Sequence, residues 1–338
     1  MKTLFLLFLL PAADPVRAAG DMPVCMYGIN KPQELRIIKR AGFNCFQTYG
    51  QSPELLAALA EEAGKLGLKM LAAPDMIIGS AYDKAAKSWP MLAWYLYDEP
   101  EVHKVPLAEL AKMDRRAKEW SPGQRTAFVM GEGGAAFTYG GAADILMVDW
   151  YPVPHLELGS VGQQVTLVRE GAKALDAKNP DKPVWAVLQA FDWMEYPQRR
   201  VKKVGGFPTF EQVRFMTYLA LVRGAKGIFY FSYHSKDGTT LADRPERWSS
   251  YERMAAELDR MAPVFLKGRQ TAPPAGLSPA LSAAAYKENG RSYLVLLNPS
   301  AKETPLPPPA LKGWRPLFEE LRDLPAVLPP NAVLILER

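Results

Sequence analysis

Val24-Cys25-Met26-Tyr27-Gly28-Ile29 is an unbroken apolar run. Helical spacing over residues 32–41 follows it, then a stop at Gly42 and a second apolar run over 43–49. Strands that read as continuously apolar are covered on both faces, and two of them joined through a helix lie parallel. Toward the C-terminus the unit recurs. Apolar runs fall at 69–73, 91–97, 125–130, 144–148, 183–188 and 226–233, with helical patterns at 53–66, 81–88, 106–120, 163–178, 210–224 and 248–261. After the fifth run a glycine-rich segment, 131–141, replaces a clear helix, and Gly131-Glu132-Gly133-Gly134 is expected to be a mobile loop. Eight such units in about 210 residues predict a (β/α)8 TIM barrel. A doubly wound open sheet would carry a phosphate-binding glycine fingerprint after its first strand, and Gly28-Ile29-Asn30 is not one.

Past residue 265 the pattern changes. Prolines, among them Pro273, Pro274, Pro279 and Pro305, punctuate strand-like pieces at 282–286, 292–297 and 332–336 with no helices between them. This predicts a small C-terminal antiparallel β domain, sandwich-like, over 266–338, which at about 70 residues must lean on the barrel. At the other end, Lys2, the apolar run 4–10 and Val16-Arg17-Ala18 have the order of a secretory signal peptide, cut near Ala18. The expected organisation is therefore a signal peptide over 1–18, a barrel over 19–265 and the β domain. The mature protein is expected to be secreted or periplasmic, monomeric and without a membrane span. Export makes a disulfide between Cys25 and Cys45 possible, with side-chain phase deciding; two buried thiols are the default.

The formal net charge of +5 is spread along the chain rather than clustered on one helix or patch, which argues against nucleic acid as a partner. One dense basic run stands out, Arg199-Arg200-Val201-Lys202-Lys203. It falls in the loop after strand seven, where arginines could clamp an acidic sugar such as a uronate, and a solvated loop is the plainer alternative.

Active-site groups of a barrel sit at the C-terminal ends of its strands. Strand four ends Trp94-Tyr95-Leu96-Tyr97-Asp98-Glu99-Pro100-Glu101, three carboxylates in four residues after an aromatic run. Such crowding has a purpose in sugar hydrolysis, where one carboxyl protonates the leaving oxygen and another acts across the bond. Here the sequence resembles the clan-A glycoside hydrolases, whose strand four ends in an Asn-Glu pair and whose strand seven supplies a Glu nucleophile. The resemblance spans the barrel and implies Glu99 as the general acid, with Asp98 replacing the Asn. Strand seven departs from the pattern, because Gln189 stands at the nucleophile's place. The second carboxylate then comes from another strand, or no enzyme nucleophile is used, or the barrel binds sugar without cutting it. Asp149, ending strand six, is the favoured replacement, as base or charge stabiliser. Asp75 after strand three and Asp192 after strand seven are weaker candidates.

Aromatic rings offer flat platforms to the apolar faces of sugars. Strand ends carry Tyr49, Trp94, Tyr97, Trp150, Tyr151, Phe191, Trp193, Tyr230 and Tyr233, of which about half are expected in the cleft. Asp98, Asp75, Tyr49, Trp150, Tyr151, Gln189, Trp193 and Tyr233 are the expected substrate contacts, and His234 could add a hydrogen bond. The three histidines lack metal-ligand spacing, and no Gly-x-Ser-x-Gly elbow or nucleotide fingerprint is present, so neither metal nor cofactor is expected. The expected partner is a poly- or oligosaccharide. The expected function is its hydrolysis, with a non-catalytic carbohydrate-binding barrel as the alternative.

Overall fold

The computed structural model describes residues 22–176, 179, 181–196, 204–318 and 324–338. The expected signal peptide and the basic run 199–203 lie outside them. Eight parallel strands close into a barrel: β1 (Val24–Met26), β2 (Cys45–Gln47), β3 (Lys69–Ala72), β4 (Met91–Asp98), β5 (Thr126–Met130), β6 (Ile145–Trp150), β7 (Val184–Gln189) and β8 (Gly227–Phe231). Around it run α1 (Glu34–Arg40), α2 (Pro53–Leu66), α3 (Asp83–Ala86), α4 (Leu107–Trp120), α5 (Ala136–Tyr139), α6 (Ser160–Leu175), α7 (Phe210–Val222) and α8 (Pro245–Lys267).

The period-two alternation of each strand sorts side chains into two cores. Inward-facing Leu71, Ala93, Val129, Met147, Trp185 and Phe229 fill the lumen, so the barrel is plugged rather than open. Outward-facing Met26, Phe46, Trp94, Phe128 and Ile228 pack beneath the helices. Local signals fix the helix ends. Ser52 caps α2 by accepting the Leu55 N–H at 3.2 Å, Pro53 occupies its first turn, and Gly67 ends it at φ 64°. Thr209 and Gln212 form a reciprocal capping box on α7.

Three sequence expectations change. The first strand is shorter than its apolar run, because Gly28 turns at φ 79° and the Gly28 and Ile29 amides both donate to the Gln47 carbonyl. The glycine-rich segment is not a bare loop: Gly133–Ala135 forms a 3-10 turn and α5 continues it. Glycine serves close packing here, since a Cβ on Gly171 of α6 would lie 2.6 Å from the Ala136 carbonyl carbon. Third, Cys25 and Cys45 are bridged rather than free. They are direct partners in the β1–β2 register, with Cα atoms 4.5 Å apart and both side chains in the lumen.

After α8 come β9 (Arg269–Thr271), β10 (Ser282–Glu288), β11 (Arg291–Leu297), β12 (Thr304–Pro305), β13 (Arg315–Pro316), β14 (Val327–Leu328) and β15 (Val333–Glu337). They form an antiparallel sheet in the order β13-β15-β11-β10-β9 and a two-stranded sheet of β12 and β14. Alternation again divides the faces. Ala284, Tyr286, Val295 and Ile335 join the main core with the barrel helices, whereas Leu294, Leu296, Leu334 and Leu336 pack with Leu306, Trp314 and Leu328 of the smaller layer. The junction also carries a buried polar tie: Arg214 of α7 donates to Glu257 Oε2 of α8 and to the Val333 carbonyl, both at 2.9 Å.

Candidate active site

Above the plugged lumen the strand ends leave a cavity of about 240 Å³. Its acidic side comes from β4, whose regularity breaks at the functional point. The β4–β5 register shifts between Tyr95 and Asp98, which brings Tyr95 and Asp98 to one side although residues three apart in a regular strand face opposite ways. The Tyr95 hydroxyl donates to Asp98 Oδ1 at 2.5 Å, and the Tyr49 hydroxyl reaches Asp98 Oδ2 at 3.4 Å. Glu99 then adopts the left-handed conformation, φ 49°. For a non-glycine residue that is uncommon, and it cancels the alternation that would have turned consecutive side chains apart. Asp98 and Glu99 therefore both line the cavity.

On β6, alternation does the placing: Ile145 and Met147 point into the lumen, so Asp149 and then Tyr151 follow on the same side, one layer higher. Asp149 is only 8% exposed. Burial and the carboxylates of Glu99 and Asp98 push its carboxyl well above the usual range, and the Tyr151 hydroxyl beside it offsets this in part. Asp149 therefore holds its proton to higher pH than a lone carboxylate does. Asp149 Oδ1 has no hydrogen-bond partner among the described residues. Leaving a buried acceptor unmet costs about 1–3 kcal/mol, which marks the atom as one that a ligand would satisfy.

The opposite wall is aromatic. Tyr151 stacks on Phe231 at 5.6 Å between centroids, and Phe191 meets Trp193 edge-on at 4.9 Å. Tyr27, from just past β1, forms part of the floor, and Tyr196 closes one side. Val129 and Val187 complete the apolar part.

Of the expected site residues, the fold brings together Glu99, Asp149, Asp98, Tyr49, Tyr151 and Trp193 around this cavity. Trp150 faces the other side of β6, where its indole donates to Ser160 Oγ at 2.8 Å. Asp75 is exposed and paired with Arg116 at 3.3 Å. Tyr233 is buried edge-on against Trp248, and His234 pairs with Glu34 at 2.9 Å, both away from the cavity lining. Asp192 caps the turn after β7 by accepting the Met194 N–H. Gln189 is fully buried and spends its amide on backbone: it accepts the Val153 N–H and donates to the Val153 and Phe191 carbonyls. It anchors the β6 loop and has no donor left for a sugar.

Sequence reasoning missed Tyr27, Tyr196 and Phe231, and took Glu101 only as a member of the strand-four carboxylate cluster. The first three have ordinary aromatic surroundings in the sequence, and only the phase of their strands or loops reveals them. Glu101 reaches back so that its Oε1 accepts the Gly131 N–H at 2.5 Å and the Glu132 N–H at 3.2 Å. Burial raises its carboxyl pKa. Among the described residues no group of three His, Cys, Asp or Glu side chains is arranged to hold a metal ion, and no helix is long and apolar enough to cross a membrane.

No family model and no curated protein matches the sequence. Solved structures do. The fold is similar to that of a protein described as a glycoside hydrolase, at 14% identity and TM-score 0.63 over 93% of this chain and 91% of that one. An α-amylase from Geobacillus thermoleovorans in complex with acarbose matches at 12% identity and TM-score 0.54, over 90% of each chain. A GH30 endoxylanase from Clostridium papyrosolvens C71 matches at 9% identity and TM-score 0.52, over 94% of this chain and 97% of that one. The chain has the (β/α)8 fold of the glycoside hydrolases, followed by a C-terminal β domain.

Proposed function

We propose that the protein is an exported glycoside hydrolase that cuts a poly- or oligosaccharide, with Glu99 as general acid. The observation that carries the reading is the meeting of Glu99, Asp149 and Asp98 over an aromatic wall at the strand ends. Acid and opposing carboxylate stand about 5–5.5 Å apart in retaining enzymes and about 6.5–9.5 Å apart in inverting ones. Asp149, whose carboxyl is raised by burial and by the Glu99 charge, is assigned a place beside the acid rather than opposite it. Asp98, held by two tyrosine hydroxyls, is the carboxylate left to face the anomeric carbon.

In this scheme Glu99 gives its proton to the glycosidic oxygen as the C–O bond breaks. Asp98 stabilises the oxocarbenium charge, water supplies the new hydroxyl, and the water's proton returns to Glu99. The test is reducing-end release across a polysaccharide panel with wild type and Glu99→Gln. Gln keeps the shape and cannot donate the proton, so a loss of about 10²–10⁴-fold is expected on unactivated substrates. Equal activity of the two would end the assignment. A second reading, a barrel that binds sugar without cutting it, rests on the locked Gln189; retained binding with no wild-type turnover across the panel would favour it.

A further inference from the structure

We propose that the sugar seated in this cavity carries a protonated amine, as in a 2-amino-2-deoxy glycan, and that Asp98 and Asp149 recognise its charge. The inference rests on the glycosidase reading for the position of the sugar, and on charge for its identity.

Among the described residues lining the cavity, three are carboxylates and none is Lys, Arg or His. Hydrolysis of a neutral sugar uses two of the three, one as acid and one opposite the developing oxocarbenium ion. The third has no counter-charge among the described lining residues. The field of these carboxylates is felt around the cavity: besides burial, Asp98 pushes the hydroxyls of Tyr27 and Tyr49 upward, and Asp149 does the same to Tyr151.

Two features beyond the acidic cluster point to a cation. Asp149 Oδ1 is buried, unpartnered among the described residues and on a side chain that lines the cavity, so it is ready to accept from an N–H. The rings of Tyr27, Tyr49, Tyr151 and Phe231 also lie around the same carboxylates. Aromatic faces attract ammonium groups, most strongly where water is excluded. One wall residue already takes a cation in this way: Lys236 Nζ lies 5.3 Å from the centre of the Tyr196 ring. A uronate would instead bring a further carboxylate against Asp98 and Asp149. The basic run 199–203 that would favour a uronate lies outside the described residues.

The experiment compares one polymer with itself. Chitosan oligomers and galactosamine oligomers are assayed before and after chemical N-acetylation, which removes the charge and keeps sugar and linkage. Binding to Glu99→Gln and turnover by wild type are both measured at about pH 6, where an alkylammonium is charged. At least about tenfold tighter binding of an amine form than of its acetylated twin is expected. Asp98→Asn, read by binding alone, should reduce that preference to near unity. Equal or tighter binding of the acetylated forms overturns the proposal, as does failure to bind any amine form. Turnover of neutral glycans with no preference for amines sinks this inference and leaves the hydrolase reading standing. Preferential binding of amine forms without turnover does the reverse.

Discussion

A methyl group on Gly131 would lie 3.1 Å from Glu99 Oε1 and 3.4 Å from Glu101 Oε1. The bare backbone at the end of β5 is what lets Glu99 reach across toward β6. Gly131→Ala should fold normally, because the position does not need a positive φ. It should nonetheless lower kcat, by roughly several-fold, because the Glu99 carboxyl must give way by a few tenths of an ångström where it transfers its proton. Thermal melting and steady-state kinetics check both halves; unchanged kcat with an intact fold would argue against Glu99 as the acid.

Asp149 ties stability to pH. Its carboxyl is raised in the folded state above the value of 3.8 expected when unfolded, so its burial is cheapest in acid and weighs on the fold as pH rises. Asp149→Asn cannot ionise. It should match wild type near pH 3 and become the more stable protein toward neutrality, by roughly 1 kcal/mol or more. Melting temperatures of both proteins across pH 3–8 decide it. An advantage for wild type that grows with pH would contradict the assigned direction. Activity should fall in the same variant, the common exchange of function for stability at a charged site.

Restoring a carboxylate to strand seven should not help. Gln189→Glu removes the two amide hydrogens now donated to the Val153 and Phe191 carbonyls. Two buried acceptors are then left unmet, for an expected loss of about 2–5 kcal/mol. Denaturant titration measures the loss, and a reducing-end assay should show no gain. A rise in activity would mean that the amide stands where a nucleophile can act.

The Cys25–Cys45 bridge closes a loop with a sequence separation of 20. Loop-closure entropy puts its contribution at about 3 kcal/mol. Cys25→Ala with Cys45→Ala should lower stability by up to that amount and leave KM nearly unchanged, because the pair lies in the lumen beneath the cavity rather than among its lining residues. Denaturation with and without reductant, beside the double variant, provides the check.

The barrel is legible in the sequence because parallel strands covered on both faces must be apolar throughout, and helices between them must not. Period-two phase is less legible: it decides that Asp149 and Tyr151 enter the cavity while Trp150 does not, and it depends on register that the other strands set. The same holds for the two cysteines, which meet only because Cys25 and Cys45 pair directly. The bulge in β4 and the left-handed turn at Glu99 leave no trace in composition, yet they turn an Asp-Glu dipeptide into two groups facing one space. Gln189 shows the opposite limit. An amide at a strand end reads equally as a sugar contact or a brace, and only the positions of the Val153 and Phe191 backbone settle which.

Glu99 and Asp149 hang from β4 and β6, with β5 between them. Two strand spacings separate their backbones, roughly 10 Å, and a closed barrel with a packed lumen cannot be squeezed to alter that span. The gap between the two acids is therefore adjustable only in methylene steps of about 1.5 Å, by trading Asp for Glu on either side. Glu99→Asp would open it by one such step, whereas Asp149→Glu would crowd two carboxyls that already stand side by side. The barrel acts as a fixed gauge, and side-chain length is the only graduation on it.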